Sequence, residues 1–230
     1  MQIYNRKEDE NNREYAYRTL RKNIMTLQIL PGTTINEGEI SEGLGISRTP
    51  VHEAVIRLKE EMLLEIYPQS GTKVTLIDIN ILKEGLFLRS VIEPEILIQL
   101  AGHVHSDDLG KLKMNLELQK AAVEADHVLD EFFELDDKFH HIIYEMGGKP
   151  TIWEAMKKVC THYDRVRYMD AIMNRTDLNA IYEEHKAIYY YLLLGFPRSF
   201  NVREFYETHL KIYKLHFQQI MDEHAAYFFV

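Results

Sequence analysis

The chain has 230 residues, 46% hydrophobic and 27% charged, which excludes a disordered or low-complexity protein and allows one large domain or two modest ones. Its formal charge of −9 argues against a nucleic-acid binder taken whole, yet residues 1–77 carry 10 basic against 11 acidic side chains and the remainder 17 against 25. The acidic excess therefore belongs to the C-terminal two-thirds, while Arg13, Arg18, Arg21 and Lys22 bunch near the front and permit DNA binding by that part alone.

Tyr15, Leu20, Ile24 and Leu27 fall at helical spacing, and Leu30-Pro31-Gly32 ends that helix. A short helix follows from about Glu37 to Leu44, closed by Gly45 as a left-handed cap. Ser47 suits the N-cap of a third helix from Arg48 to about Glu61, with Pro50 in its first turn, where a missing N–H costs little. Val51, Val55 and Leu58 give that helix one apolar face. Leu64–Tyr67 and Lys73–Leu76 then flank Pro68-Gln69-Ser70-Gly71, two strands around a turn. After Asp78 the pattern stays helical to the end, with segments expected near 79–103, 107–126, 128–146, 150–173, 178–194 and 201–225. Ser106, Gly147-Gly148, Asn174 and Gly195-Phe196-Pro197 mark the breaks. The expected fold is mostly α: a winged helix-turn-helix over residues 1–77, then an all-α bundle of about six helices over 78–230.

A short helix, a glycine turn and a helix opened by Ser47-Arg48-Thr49 is a geometry that lays a recognition helix in the major groove. Arginine offers guanine a paired donor and threonine a hydroxyl and a methyl, while free N–H groups at the helix start meet phosphate. His52 and Arg57 lie further along, and the hairpin tip with Gly71 and Lys73 forms a candidate wing. A protein-binding winged helix or a plain packing unit fits the same pattern.

These residues resemble the DNA-binding segment of GntR-type bacterial regulators. The resemblance runs through Pro31-Gly32, Glu37-Gly38-Glu39-Ile40 and Gly45-Ile46-Ser47-Arg48-Thr49-Pro50-Val51-His52-Glu53-Ala54-Val55. It implies operator DNA as partner and a homodimer on a palindromic site. Two positions depart: His52 replaces the usual arginine, and Met62 the usual glycine after the recognition helix.

In the second half, Asp136 and His140 are four apart and share a helix stripe, a pairing that suits zinc, nickel, iron or manganese. Taken alone, such a pair is more often an ordinary surface contact than a ligand pair. His141 points about 100° away. The strings LFLRSVIEPEILIQLA, FFELDDKFHHIIYEMGG, YEEHKAIYYYLLLG and YETHLKIY resemble the helical sensing domain of the FadR-type subfamily. That resemblance implies a divalent metal ion (zinc, nickel or manganese) on Asp136, His140, His185 and His209, and an Arg89 that faces a small organic-acid effector. Arg89 also lies one turn before Glu93, so an ion pair between them competes with the effector role. Arg165 and Arg167 are secondary candidates for the same cavity.

A metal-dependent hydrolase on a helical bundle is the alternative reading. A di-iron site needs two Glu-x-x-His motifs, and only Glu124-Ala125-Asp126-His127 is present. Neither His-Glu-x-x-His nor Gly-x-Ser-x-Gly nor a glycine-rich phosphate loop occurs. The longest apolar run, Ile188–Phe196, is shorter than the roughly 20 residues of a membrane span. No basic-then-apolar leader opens the sequence, and the single cysteine, Cys160, suits a reducing compartment. The sequence therefore leads to the expectation of a cytoplasmic regulator with no membrane partner.

Overall fold

The computed structural model describes residues 1–68, 71–125, 129–173, 176–210 and 216–229. Gln69, Ser70, Asp126, His127 and Asn174, named above in a turn, a motif and a break, lie outside the described residues. Compactness divides the chain into two units: Met1–Gly85 with Lys158–Met169 and Gln219–Val230, and Leu86–Lys157 with Asp170–Gln218. This grouping differs from a linear division at residue 77.

The first unit begins with α1 (Asn12–Met25), opened by a capping box in which Asn11 and Glu14 each bind the other's backbone N–H. β1 (Thr34–Ile35) precedes α2 (Glu37–Leu44), whose end is turned by Gly45 at φ 65°. After that turn comes α3 (Arg48–Glu60). Its exit is a Schellman turn: Leu63 N donates to Leu58 O while Met62 takes φ 59°. Here a methionine occupies a left-handed position that glycine holds without strain, at a cost of about 1–2 kcal/mol. β2 (Leu64–Tyr67) and β3 (Gly71–Val74) complete an antiparallel sheet in the order β1-β3-β2. The second strand was expected at 73–76. It starts two residues earlier, because Gly71 pairs with Tyr67 and Thr72 with both Ile66 and Ile35. Tyr15, Leu20, Ile24, Ile40, Leu44, Val51, Val55, Leu58 and Leu64 fill the core beneath, so one face of each helix is spent on packing.

β4 (Ile77–Asp78) leads into α4 (Ile79–Leu100) and pairs in parallel with β5 (Phe228–Phe229). The expectation of helix to the end misses β5, since a two-residue strand has no periodicity to read. The helices after α4 are α5 (Ser106–Glu124), α6 (Leu129–Met146), α7 (Pro150–Val159), α8 (Thr161–Ile172), α9 (Leu178–Leu194), α10 (Val202–Leu210) and α11 (Phe217–Glu223). The segment expected as one helix over 150–173 is two, broken at Cys160. There α4 crosses so closely that a Cβ on Gly85 would sit 3.1 Å from Cys160 Cα and from Val159 O. The segment expected at 201–225 supplies α10 and α11. Among the described residues, α8 and α11 each fall partly in the first unit.

In the second unit α5 packs against α6 and α9. No helix among the described residues is long and apolar enough to cross a membrane.

Candidate functional site

Each unit holds one group of side chains that carries chemistry. In the first unit, Ser47, Arg48 and Thr49 are exposed at the start of α3. Ser47 occupies the N-cap in an extended conformation but its hydroxyl makes no capping bond. The cap expected from sequence is thus a backbone feature only, and the first N–H groups of α3 are left for an outside acceptor such as phosphate.

Arg48 and His52 share one stripe of α3 and both lean on the first turn of α2. A Cβ on Gly38 would lie 3.3 Å from Arg48 Nη2, and His52 Nδ1 lies 3.1 Å from a Glu37 carboxylate oxygen. Arg57 is held elsewhere. Its guanidinium lies 3.6 Å from the centre of the Tyr17 ring and its Nε 3.6 Å from Glu61, which also accepts from Tyr17 and Arg21. Arg57 therefore joins α3 to α1 and is not aligned with Arg48 and His52. In the hairpin, Gly71 and Lys73 are exposed, with Lys73 Nζ 5.8 Å from the Tyr67 ring centre.

In the second unit, three- and four-residue spacing turns Asp136, Phe139, His140 and Ile143 of α6 inward. α9 brings His185 and α10 brings His209. The three buried imidazoles offer nitrogens that all lie within 4.8 Å of one another. His140 Nε2 and His209 Nε2 are 3.5 Å apart, and Asp136 Oδ1 flanks the cluster 3.5 Å from His185 Nε2. Residues 136, 140, 185 and 209 are therefore brought together. His141 is not among them: it stacks on Trp153 at 5.4 Å.

The far side of each ring is also held. His185 Nδ1 lies 2.8 Å from Gln119 Oε1, His209 Nδ1 2.6 Å from Glu184 Oε2, and His140 Nδ1 3.1 Å from Glu93 Oε2. Carboxylate and amide oxygens only accept, so each neutral ring carries its proton on Nδ1 and its lone pair on Nε2. Three lone pairs and a carboxylate oxygen then face one another, an arrangement that a cation relieves. Metal–nitrogen bonds of about 2.0–2.1 Å put neighbouring ligand atoms roughly 3 Å apart, near the 3.5 Å that separates His140 from His209 and Asp136 from His185. The donor set fits a divalent ion.

Glu93 ties this cluster to Arg89. Both are buried, with Arg89 Nε 2.7 Å from Glu93 Oε1, and the hydroxyls of Tyr206 and Tyr144 also donate to Glu93. Burial opposes ionisation of Glu93, but Arg89 and His140 outweigh it and hold the carboxyl well below its ordinary range. Burial pushes His140 down against the pull of Glu93, and pushes the Tyr206 hydroxyl well up. Of the two roles open to Arg89 in the sequence, the structure contains the ion pair with Glu93.

Arg165, a secondary candidate for this cavity, is instead bound in the first unit. Its Nη1 donates to Thr75 O at 2.8 Å and its Nη2 to Thr75 Oγ1 at 3.1 Å. Arg167 lies 5.5 Å from the Tyr163 ring centre, in the same unit. The sequence pointed to none of Glu37, Gln119, Glu184 and Tyr206 as parts of either site, and to Glu93 only as a partner of Arg89. Glu184 adjoins His185 and Glu93 follows Arg89 by one turn, so two had a local signal. Gln119 is 66 positions from His185 and had none.

Residues 12–74 match the family described as "Bacterial regulatory proteins, gntR family", and residues 84–195 match the "FCD domain". The Escherichia coli protein named "HTH-type transcriptional repressor RspR" is 37% identical over 156 residues, covering 68% of this chain and 68% of that protein. A regulator of Streptomyces ambofaciens, described as lying in an unstable DNA locus, is 33% identical over 156 residues, 68% of this chain and 65% of its own. Among solved structures, E. coli McbR/YncC has a TM-score of 0.73 at 18% identity, covering 93% of this chain and 99% of that one. A GntR regulator from a Rhodococcus species has a TM-score of 0.66 at 19% identity, with 92% and 96% covered. Both structural likenesses are of fold.

Proposed function

The chain belongs to the GntR family of bacterial transcription regulators, with a helix-turn-helix and an FCD domain, and from that premise we propose that it represses its target genes by binding a palindromic operator as a homodimer. A small organic acid bound in the helical domain releases it. The family consists of regulators and not enzymes, which removes the hydrolase alternative.

The observation that carries the sensing half of this reading is the convergence of three Nε2 lone pairs beside Asp136. Asp136, His140, His185 and His209 would hold a divalent ion: zinc, nickel or manganese. Once bound, the ion supplies a positive coordination position for a carboxylate. The chain's own residues do the positioning: Gln119, Glu184 and Glu93 fix the rings, and Arg89 balances the buried charge of Glu93.

On the DNA side, Ser47 with the α3 N-terminus takes phosphate, Arg48, Thr49 and His52 face base edges, and Gly71 and Lys73 form the wing. Arg57 supports α3 from behind. Repression is favoured by the name of the relative at 37% identity. Two-fold pairing is favoured by exposed Phe87, Val91 and Ile98 on α4, an apolar stripe that a second copy would cover. A DNA target places the work in the cytoplasm. Effector binding shifts the population between two arrangements of the dimer and so changes operator affinity.

Elemental analysis of purified protein tests the metal: wild type should carry about one ion per chain, and His185→Ala with His209→Ala none. Full metal content in the double variant would overturn the ligand assignment. In mobility-shift assays Arg48→Ala should lose sequence-specific binding while keeping weak, salt-sensitive binding. Retained operator preference would refute its role.

A further inference from the structure

We infer that the Glu37–His52 pair makes residue 52 a reader of exocyclic amines in the major groove, the N4 amine of cytosine or the N6 amine of adenine. The inference rests on the proposed reading of α3 as the recognition helix. His52 Nδ1 lies 3.2 Å from Glu37 Oε1 and 3.1 Å from Glu37 Oε2. A carboxylate can only accept, so the single ring proton of a neutral imidazole is held on Nδ1. The other nitrogen, Nε2, then has a lone pair and no hydrogen. His52 keeps 58% of its side chain exposed while Nδ1 is turned to α2, which leaves Nε2 as the outward polar atom.

An outward acceptor selects donors. In the major groove the donors are the amines of cytosine and adenine, whereas guanine N7 and O6 and thymine O4 are acceptors that repel a lone pair. One turn earlier on the same stripe, Arg48 presents only donors and suits guanine. α2 serves both residues: Glu37 sets the tautomer of His52, and the bare Gly38 leaves room for the Arg48 guanidinium, whose Nη2 would lie 3.3 Å from a Cβ there. The two neighbouring readers therefore have opposite polarity, so their preferred bases differ in kind. Glu37 acts through His52 and is a positioning residue.

The test is selection of bound duplexes from a pool with a random core, followed by affinity measurement on single-base variants of the selected site. Wild type should prefer cytosine or adenine at one position per half-site. That preference should be roughly five-fold, as expected for one added hydrogen bond against an unpaired acceptor. His52→Arg should switch that same position to guanine and leave the neighbouring Arg48 position unchanged. Glu37→Ala should relax the preference at the His52 position toward all four bases, because either tautomer becomes available. Identical selected base pairs for wild type, His52→Arg and His52→Ala would overturn the inference, as would a Glu37→Ala variant that keeps the full wild-type preference at that position. A wild type with no base preference anywhere would overturn the α3 reading itself, and so is distinguishable. Residues 37 and 52 are both on the surface, and equal thermal melts would establish that the variants fold.

Discussion

Replacing Gln119 by leucine removes one oxygen from the back of the histidine cluster, and the surrounding hydrogen bonds say what that oxygen does. Asn115 Nδ2 donates to Leu135 O at 3.1 Å, so the Asn115 oxygen faces Gln119 and receives its Nε2 at 2.7 Å. The Gln119 carbonyl is thereby aimed at His185 Nδ1, 2.8 Å away, and the ring cannot place its lone pair there. With leucine, a similar volume fills the site but a buried ring N–H loses its acceptor, at a cost of about 1–3 kcal/mol to the metal-free protein. The ring also becomes free to adopt the other tautomer, which puts hydrogen on Nε2. Loss of such an outer partner lowers metal affinity by roughly 10- to 100-fold, or about 1.4–2.7 kcal/mol. Competition against a chromophoric zinc chelator measures the affinity, and urea unfolding with and without chelator separates the two costs. Gln119→Glu, which keeps an acceptor at His185, should retain more of the zinc affinity than Gln119→Leu. Unchanged zinc affinity in Gln119→Leu, with wild-type stoichiometry, would refute the account of how α5 prepares the site.

Two further outcomes follow from buried charges. Arg89→Met leaves Glu93 buried without its guanidinium, and urea unfolding should register a loss of about 3–5 kcal/mol; adding Glu93→Gln should recover part of it, and a loss below about 1 kcal/mol would contradict the pairing. Burial, reinforced by Arg165, pushes His162 down to about 3. The unfolded chain then binds more protons than the folded one between roughly pH 6.5 and 3, so this contribution is present above that window and is lost as pH falls through it. The loss from pH 6.5 to 5 is at most about 2 kcal/mol. His162→Asn keeps an acceptor for the Asp78 N–H, which His162 Nδ1 meets at 2.8 Å, but cannot titrate. Its stability should fall less steeply over that range than wild type, and equal slopes would exclude His162 as the cause.

Local order was legible along the chain wherever a side chain's role depends on its own neighbours. Gly45 at φ 65° and the inward stripe of Val51, Val55 and Leu58 follow from spacing within one element. So does the joint burial of Asp136 and His140 on α6. Met62 stood out as a departure from a familiar glycine, and its φ of 59° gives the reason that glycine is usual there. The break at Cys160 was not legible, because it depends on Gly85 of another helix. Nor was β5, which is a strand only because Ile77 and Asp78 offer it an edge.

The amino-acid order determined which faces of the helices are apolar and which residue types stand on them, since a period of 3.6 is written in any run of a dozen positions. It determined that imidazoles and a carboxylate occur on three inward stripes. Tertiary structure alone decided which nitrogen of each imidazole faces the shared centre, because Gln119, Glu184 and Glu93 reach the rings from their own places on the packed helices. It likewise decided that Arg57 turns to Tyr17, Arg89 to Glu93 and Arg165 to Thr75. A long cationic side chain can reach several partners from one backbone position, and only the crossing of the elements selects which carboxylate, ring or carbonyl lies within its range.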